Sequence, residues 1–416
     1  MKILGIIAEY NPFHNGHLYH IKESLKQTGC DAAVVVMSGD FVQRGTPAIL
    51  SKHLRAEMAL ACGASVVLEL PVCYACGSAE YFAAGAVALL HSLGCIHTLS
   101  FGSELGNLTN LQQTAEILLE EPDNYKEKLR QYLSKGFSYP AARKMAFQDN
   151  IENPDLCNVL DTPNNILGIE YLKALRHINS SMKPFTLSRK GAGYHIEELH
   201  ETFSSASAIR ASLLQADVQH SSWESEDSLT QIPPAAAQIM RNNYSRKTPV
   251  YSNDFSLLLK AKLLTETRDS LMEYADISEA LARRIINQRN QFVNWDGFCE
   301  LLNTKELTYS RISRALMHIL LNIRTEDMTA YQKEENCCYA RVLGFRKEHA
   351  EILKLFKQNS AVPVVTKLGQ INALSNAGQK MLDADCYASN LYESVITDKF
   401  HTPFTEEHSK SLVLYK

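Results

Sequence analysis

Ile3-Leu4-Gly5-Ile6-Ile7-Ala8-Glu9-Tyr10-Asn11-Pro12-Phe13-His14-Asn15-Gly16-His17-Leu18-Tyr19-His20 contains a change of hydrophobic period that decides the fold. Ile3 to Ala8 is apolar throughout, the pattern of a strand covered on both faces. Leu18, Ile21 and Leu25 then recur at i, i+3 and i+7, which predicts an amphipathic helix ending near Gly29. At the junction Pro12 stops the strand, and Gly16 lets the backbone approach a ligand without a side chain. His17 stands at or near the helix N-terminus, where free N–H groups and the helix dipole favour phosphate. His14 and His17, three residues apart, can both face one anion.

Working outward, Ala32 to Met37, Ser65 to Leu70 and Thr98 to Phe101 read as further buried strands. Lys52 to Cys62 and Ser78 to Leu93 read as helices between them. Strand and helix alternate, so right-handed crossovers and a mostly parallel, doubly wound, Rossmann-like α/β sheet are expected, with ligands at the carboxyl ends of the strands. After about Leu214 the β-branched runs nearly vanish. Phe255 to Glu266, Ile277 to Arg289 and Ser310 to Ile323 carry helix-period apolar residues, and Ala361 to Lys367 offers one more strand. The expected division is a catalytic domain over 1–214 and a mainly helical domain over 215–416.

The length of 416 residues and a hydrophobic share of 45% fit two or three domains and exclude disorder or a small disulfide scaffold. Ten scattered cysteines and a strand in place of a signal peptide point to a reduced, cytoplasmic setting. The formal charge is -4, split as -3 through Leu214 and -1 beyond it, so neither half attracts a polyanion by bulk charge. A nucleic-acid partner would have to be held on a confined basic surface. Arg246-Lys247, Arg283-Arg284, Arg346-Lys347, Arg289, Arg311 and Arg314 could line one or could be solvated helix faces. Nothing marks a membrane span or a protein partner.

The first junction has a second half. Ser204-Ser205-Ala206-Ser207-Ala208-Ile209-Arg210 leads hydroxyls into a short helix with an arginine in its first turn, a second anion site suited to β and γ phosphates. Such a pair of sites stabilises charge on an α-phosphate and a leaving pyrophosphate without needing a covalent nucleophile.

The two elements together, roughly 190 residues apart, resemble the nucleotidyltransferase superfamily related to class I aminoacyl-tRNA synthetases. With Val36-Met37-Ser38-Gly39-Asp40-Phe41-Val42-Gln43-Arg44-Gly45, Phe101-Gly102-Ser103-Glu104 and Thr162-Pro163-Asn164-Asn165-Ile166-Leu167-Gly168, the chain is similar to the bacterial tRNA(Met) cytidine acetate ligase family. The resemblance implies that ATP and acetate form acetyl-adenylate and that the acetyl group passes to N4 of the wobble cytidine of elongator tRNA(Met). It implies an ATP loop over Ile7 to His20, with His14 and His17 on the phosphates. Gly102, Asn164 (with Asn165 as a weaker candidate) and Arg189-Lys190 would complete the ATP site with Ser205, Ser207 and Arg210. Gly102 could equally be a turn glycine, and Asn164-Asn165 a helix N-cap.

Asp40, Gln43 and Arg44 lie after the second strand and are candidates for positioning acetate, metal or cytidine. Asp40 could instead only form a turn. Lys52 could assist phosphate neutralisation or be a plain exposed lysine. No carboxylate cluster suggests a metal site, so Mg2+ is expected to ride on ATP. Cys73-Tyr74-Ala75-Cys76 lacks a second half-site and reads as structural, as do His91 and His97. No Gly-x-Gly-x-x-Gly fingerprint or P-loop occurs. The alternative reading is a small-molecule adenylyl- or cytidylyltransferase using the same His-x-Gly-His site.

Overall fold

A computed structural model describes residues 1–151, 156, 158–189, 205–219, 230–370 and 374–416. The run Ile3–Ala8 forms β1, and the next apolar runs form β2 (Ala32–Ser38), β5 (Val66–Leu70) and β6 (Thr98–Ser103), with a small hairpin of β3 (Phe41–Val42) and β4 (Thr46–Pro47) between them. Alternate residues of these strands enter two separate buried clusters: Ile3, Val34, Val36 and Leu68 on one face, Leu4, Ile6, Val35 and Val67 on the other. Burial on both faces is why their sequences run apolar instead of alternating.

Among the described residues the main sheet has eight strands, in the order β10-β8-β5-β2-β1-β6-β7 with β9 beside β8. β7 is Lys183–Ser188, β8 Ala340–Arg346, β9 Val364–Val365 and β10 Val413–Tyr415. Every pairing in it is parallel except β5 with β8, which is antiparallel with a register shift between Val67 and Leu68. The chain therefore returns from its helical stretch to finish the sheet beside β5. Only β9 falls in a run the sequence marks as a strand. β8 holds only one β-branched residue and β10 is three residues long, so their pairing with β5 and with each other, not their composition, makes them strands.

Strand order reverses at β1, which has β2 on one side and β6 on the other. That switch opens a crevice at the carboxyl ends of β1 and β6. Helix α1 (Asn15–Thr28) leaves the crevice and ends at Gly29, whose φ of 63° is the left-handed conformation that glycine adopts without penalty. Helix α2 (Lys52–Ala61) lies on the same sheet face as α1, and Ala79–Ser92 and Pro163–His177 cover the other. The expected helices after Leu214 form at Ser256–Thr265, Glu279–Gln288 and Tyr309–Leu321, followed by the long Asn376–Phe400. No described helix is long and apolar enough to cross a membrane.

The two parts of the chain are stitched by buried polar contacts. Tyr392 donates to the carbonyl of Ala48 at 2.6 Å, and Ser313 donates to that of Gly45 at 2.7 Å. Lys52, fully buried, donates to Glu69 at 2.6 Å and Ser389 at 2.5 Å, and pairs with Glu407 at 3.0 Å. Neither sequence reading of Lys52 survives: it faces neither phosphate nor solvent. Asp40 accepts from the Lys52 backbone N–H at 2.7 Å and serves the start of α2.

Candidate active site

His14 is the N-cap of α1. Its Nδ1 accepts from Gly16 N–H at 3.1 Å, and the Nδ1 of His17 accepts from His14 N–H at 3.3 Å. This reciprocal box satisfies two helix-end donors with imidazoles in place of the usual Ser and Glu. The rings stack at 3.7 Å, and Tyr10 meets His17 edge-on at 4.7 Å. Because both Nδ1 atoms accept, each proton sits on Nε2, which makes both rings neutral donors. Burial, with Arg189 and Arg210 nearby, pushes the His14 pKa down to about 3. His17 is held well below its ordinary value by burial and then by His14 and Arg189. A Cβ on Gly16 would come within 2.9 Å of His14 Cε1, so a glycine there leaves room for that ring.

The segment expected to form the second anion site packs onto the first loop. Ser205 caps the helix Ala206–Val218, its hydroxyl accepting from Ala208 N–H at 3.1 Å. Arg210, one turn in, donates to the Asn11 carbonyl at 2.7 Å and to Ser207 Oγ at 3.1 Å. The first loop is further held by Arg55, a fully buried arginine that the sequence reading passed over. It donates to the carbonyls of Glu9 at 2.6 Å, Ser38 at 3.1 Å and Leu50 at 2.9 Å, and also to Gly39. No sequence pattern marks such a residue, because its partners are backbone atoms brought together only by the sheet.

These elements enclose a cavity of about 400 Å³. Ile7, Ala8, Glu9, Tyr10, His14, Gly16, His17, Tyr19, His20, Gly102, Asn164, Arg189, Ser205, Ser207 and Arg210 all line it. Asn11, Pro12, Phe13, Asn15 and Leu18 do not. Asn11 instead accepts from Ile49 N–H at 2.9 Å, Asn15 donates to the Thr230 carbonyl at 2.6 Å, and Phe13 is core. Lys190 and Ser204 lie outside the described residues. Asn164 donates to Glu104 at 2.6 Å and accepts from Arg189 at 3.3 Å, so it orients the arginine and does not cap the helix. Asn165 is buried and accepts from Leu105 N–H at 3.1 Å. His20 pairs with Ser100 at 2.9 Å, and burial and Arg189 bring it down to about 4.

Gln43 and Arg44 reach the cavity from the turn between β3 and β4, and Phe101, Ile166, Leu167 and Leu187 form an apolar wall. Arg314 enters from the helix Tyr309–Leu321. Of the other arginines considered for an RNA surface, Arg284 donates to the carbonyls of Leu301 and Leu302 and Arg289 to those of Leu263 and Glu266. Those two hold the fold, whereas Arg246, Lys247, Arg283, Arg311 and Lys347 are exposed. Cys73 and Cys76 are buried, with thiol pKa values raised by burial, and His97 accepts from Ile3 N–H at 3.2 Å.

The chemistry follows from the lining: neutral imidazole donors, two capped helix N-termini and several guanidinium groups suit a polyanion beside an apolar, flat-walled slot. Glu9 is the only carboxylate among the described residues lining the cavity, and no described cluster of His, Cys, Asp or Glu could hold a metal.

The model of the HIGH nucleotidyl transferase family matches residues 1–407. A tRNA(Met) cytidine acetate ligase of Thermoanaerobacter sp. (strain X514) is 43% identical over 94% of this chain and 95% of its own. One from Acetivibrio thermocellus is 37% identical over the whole of both chains. Among solved structures, apo Thermotoga maritima TmcAL superposes with a TM-score of 0.92 at 32% identity, covering 100% of this chain and 99% of that one. The same protein bound with alpha-thio ATP gives a TM-score of 0.89 at 31% identity, covering 100% of both.

Proposed function

The chain belongs to the HIGH nucleotidyl transferase family, among the tRNA(Met) cytidine acetate ligases, and from that premise we propose that it is an ATP-dependent ligase that acetylates N4 of the wobble cytidine of elongator tRNA(Met). The observation that carries the reading is Arg210 donating to Asn11: it closes the two anion-binding halves, distant in sequence, around one cavity. A cytosine amine is delocalised into its ring and is a poor nucleophile, so it needs an activated acyl donor, which acetyl-adenylate provides.

In this reading adenine lies against the apolar wall near Gly102, and the triphosphate runs to the ends of α1 and Ala206–Val218. His14 and His17 donate through Nε2 to phosphate oxygens as charge builds on the leaving pyrophosphate. Ser205, Ser207 and Arg210 hold the distal phosphates, and Arg189, oriented by Asn164, adds a further cation. With Glu9 the sole acid among the described lining residues, Mg2+ would draw most of its ligands from phosphate and water, neutralising charge there. The helical residues beyond 214 would meet the tRNA on a limited basic surface, with binding that weakens steeply as salt rises.

The test is to incubate the protein with ATP, Mg2+, acetate and a tRNA pool, following pyrophosphate and nucleoside masses. Acetate-dependent pyrophosphate and a nucleoside heavier by one acetyl group support the ligase. Pyrophosphate formed only with a mononucleotide would sink it in favour of a small-molecule nucleotidyltransferase.

A further inference from the structure

Some of the cavity lining belongs neither to the two helix N-termini nor to the apolar wall. On the β2 side of the β1 carboxyl end the cavity is lined by Glu9, Gln43, Arg44, Ala79, Phe82 and Arg314. Among the described lining residues Arg314 alone comes from later in the chain than Arg210. Its Nε donates to Asp276 at 3.3 Å, which directs the guanidinium; its terminal nitrogens make no hydrogen bond among the described residues.

The loop carrying Gln43 and Arg44 is locked onto the helix carrying Arg314. Gly45 has a φ of 70°, and a Cβ there would overlap the backbone of Arg314, so only glycine permits this approach. Ser313 fastens the same glycine through its carbonyl at 2.7 Å. Gln43 N–H donates to Glu9 Oε1 at 2.9 Å, which engages one oxygen of the only carboxylate among the described lining residues. Arg44 and Arg314 line this cavity together with the apolar Ala79 and buried Phe82.

Building on the ligase reading, we propose that Gln43, Arg44 and Arg314, with Ala79 and Phe82, form the acetate subsite: carboxylate toward the arginines, methyl toward Phe82. In the first step a carboxylate oxygen bonds to the α-phosphorus while the bond from that phosphorus to the oxygen bridging to the β-phosphorus breaks. Pyrophosphate leaves with the electron pair, and a mixed acetyl–phosphate anhydride remains. Attack and departure lie roughly in line, so acetate approaches from the side opposite the pyrophosphate. In this proposal pyrophosphate leaves toward the helix ends and acetate enters from the side of Arg44 and Arg314. An anion nearing a polyanion is repelled, and the two guanidinium groups offset this.

The test is acetate-dependent exchange of pyrophosphate into ATP by the full-length Arg314→Gln enzyme, with ATP binding measured separately without acetate. The acetate KM should rise by about 10- to 100-fold, the range for losing a charge-assisted hydrogen bond, while ATP affinity is unchanged. Phe82→Leu, which keeps the site apolar but roomier, should raise propionate use relative to acetate by about tenfold, the scale of one methylene. An unaltered acetate KM in Arg314→Gln, or a parallel loss of ATP affinity, overturns the subsite. No acetate-dependent exchange by the unmodified enzyme overturns the ligase reading itself, and the subsite with it.

Discussion

The backbone N–H of His14 donates to Nδ1 of His17 at 3.3 Å, so the chain that positions the second histidine also chooses its tautomer. With Nδ1 of His14 likewise occupied by Gly16 N–H, both rings must present Nε2–H to the cavity. Folding alone therefore holds both histidines as oriented neutral donors toward the cavity.

His17→Ala removes one such donor. Adenylate formation, followed by pyrophosphate exchange, should fall about 10²- to 10³-fold, the effect of losing one oriented donor to a developing anion. Affinity for tRNA, measured by filter retention, should hardly change; equal loss of both would refute the division of labour between the cavity and the helical region.

Gly16→Ala separates stability from chemistry. The added methyl presses on the His14 ring at 2.9 Å and 3.1 Å, while alanine suits a helix better than glycine by up to about 1 kcal/mol. The melting temperature should hold or rise while the exchange rate drops at least severalfold. A variant with full activity would mean that the ring position is immaterial.

The cavity histidines make stability depend on pH. His14 and His20 fall to about 3 and about 4 in the folded protein, and His17 is lowered too, against an ordinary value of 6.5. Below that ordinary value the unfolded chain binds more protons, so stability is fully present above about pH 6.5 and is lost as pH falls toward the folded values. Melting curves should show this loss between pH 6.5 and 4. His20→Gln should flatten the slope there, and an unchanged slope would show that His20 is not held neutral.

Lys52→Met tests the buried ion network. Removing the cation leaves the buried Glu69 and Glu407 to share Arg341, at a cost of about 1–3 kcal/mol. Urea unfolding should show that loss, and the folded fraction should bind ATP normally. Weakened ATP binding at unchanged stability would restore Lys52 to the phosphate site.

The central strands, α1 and the two capped helix starts at the cavity were legible because each leaves a local mark. β1 is apolar because it is covered on both faces, Gly16 is small because His14 lies against it, and Ser205 and Arg210 share the first turn of one helix. Arg55, Arg314 and Lys52 were not legible in their roles. An isolated arginine or lysine in a helical pattern looks the same whether it meets solvent, backbone carbonyls or a buried carboxylate.

By itself the sequence determined a doubly wound sheet and a strand-to-helix junction with a capped helix N-terminus after its first strand, since hydrophobic period and helix-end chemistry act over a few residues. Only the tertiary structure decided that Ala340–Arg346 joins β5, that Arg210 closes on Asn11, and that Arg314 reaches the cavity. Those contacts join residues far apart in the chain, and their geometry exists only once the core has packed and excluded water around them.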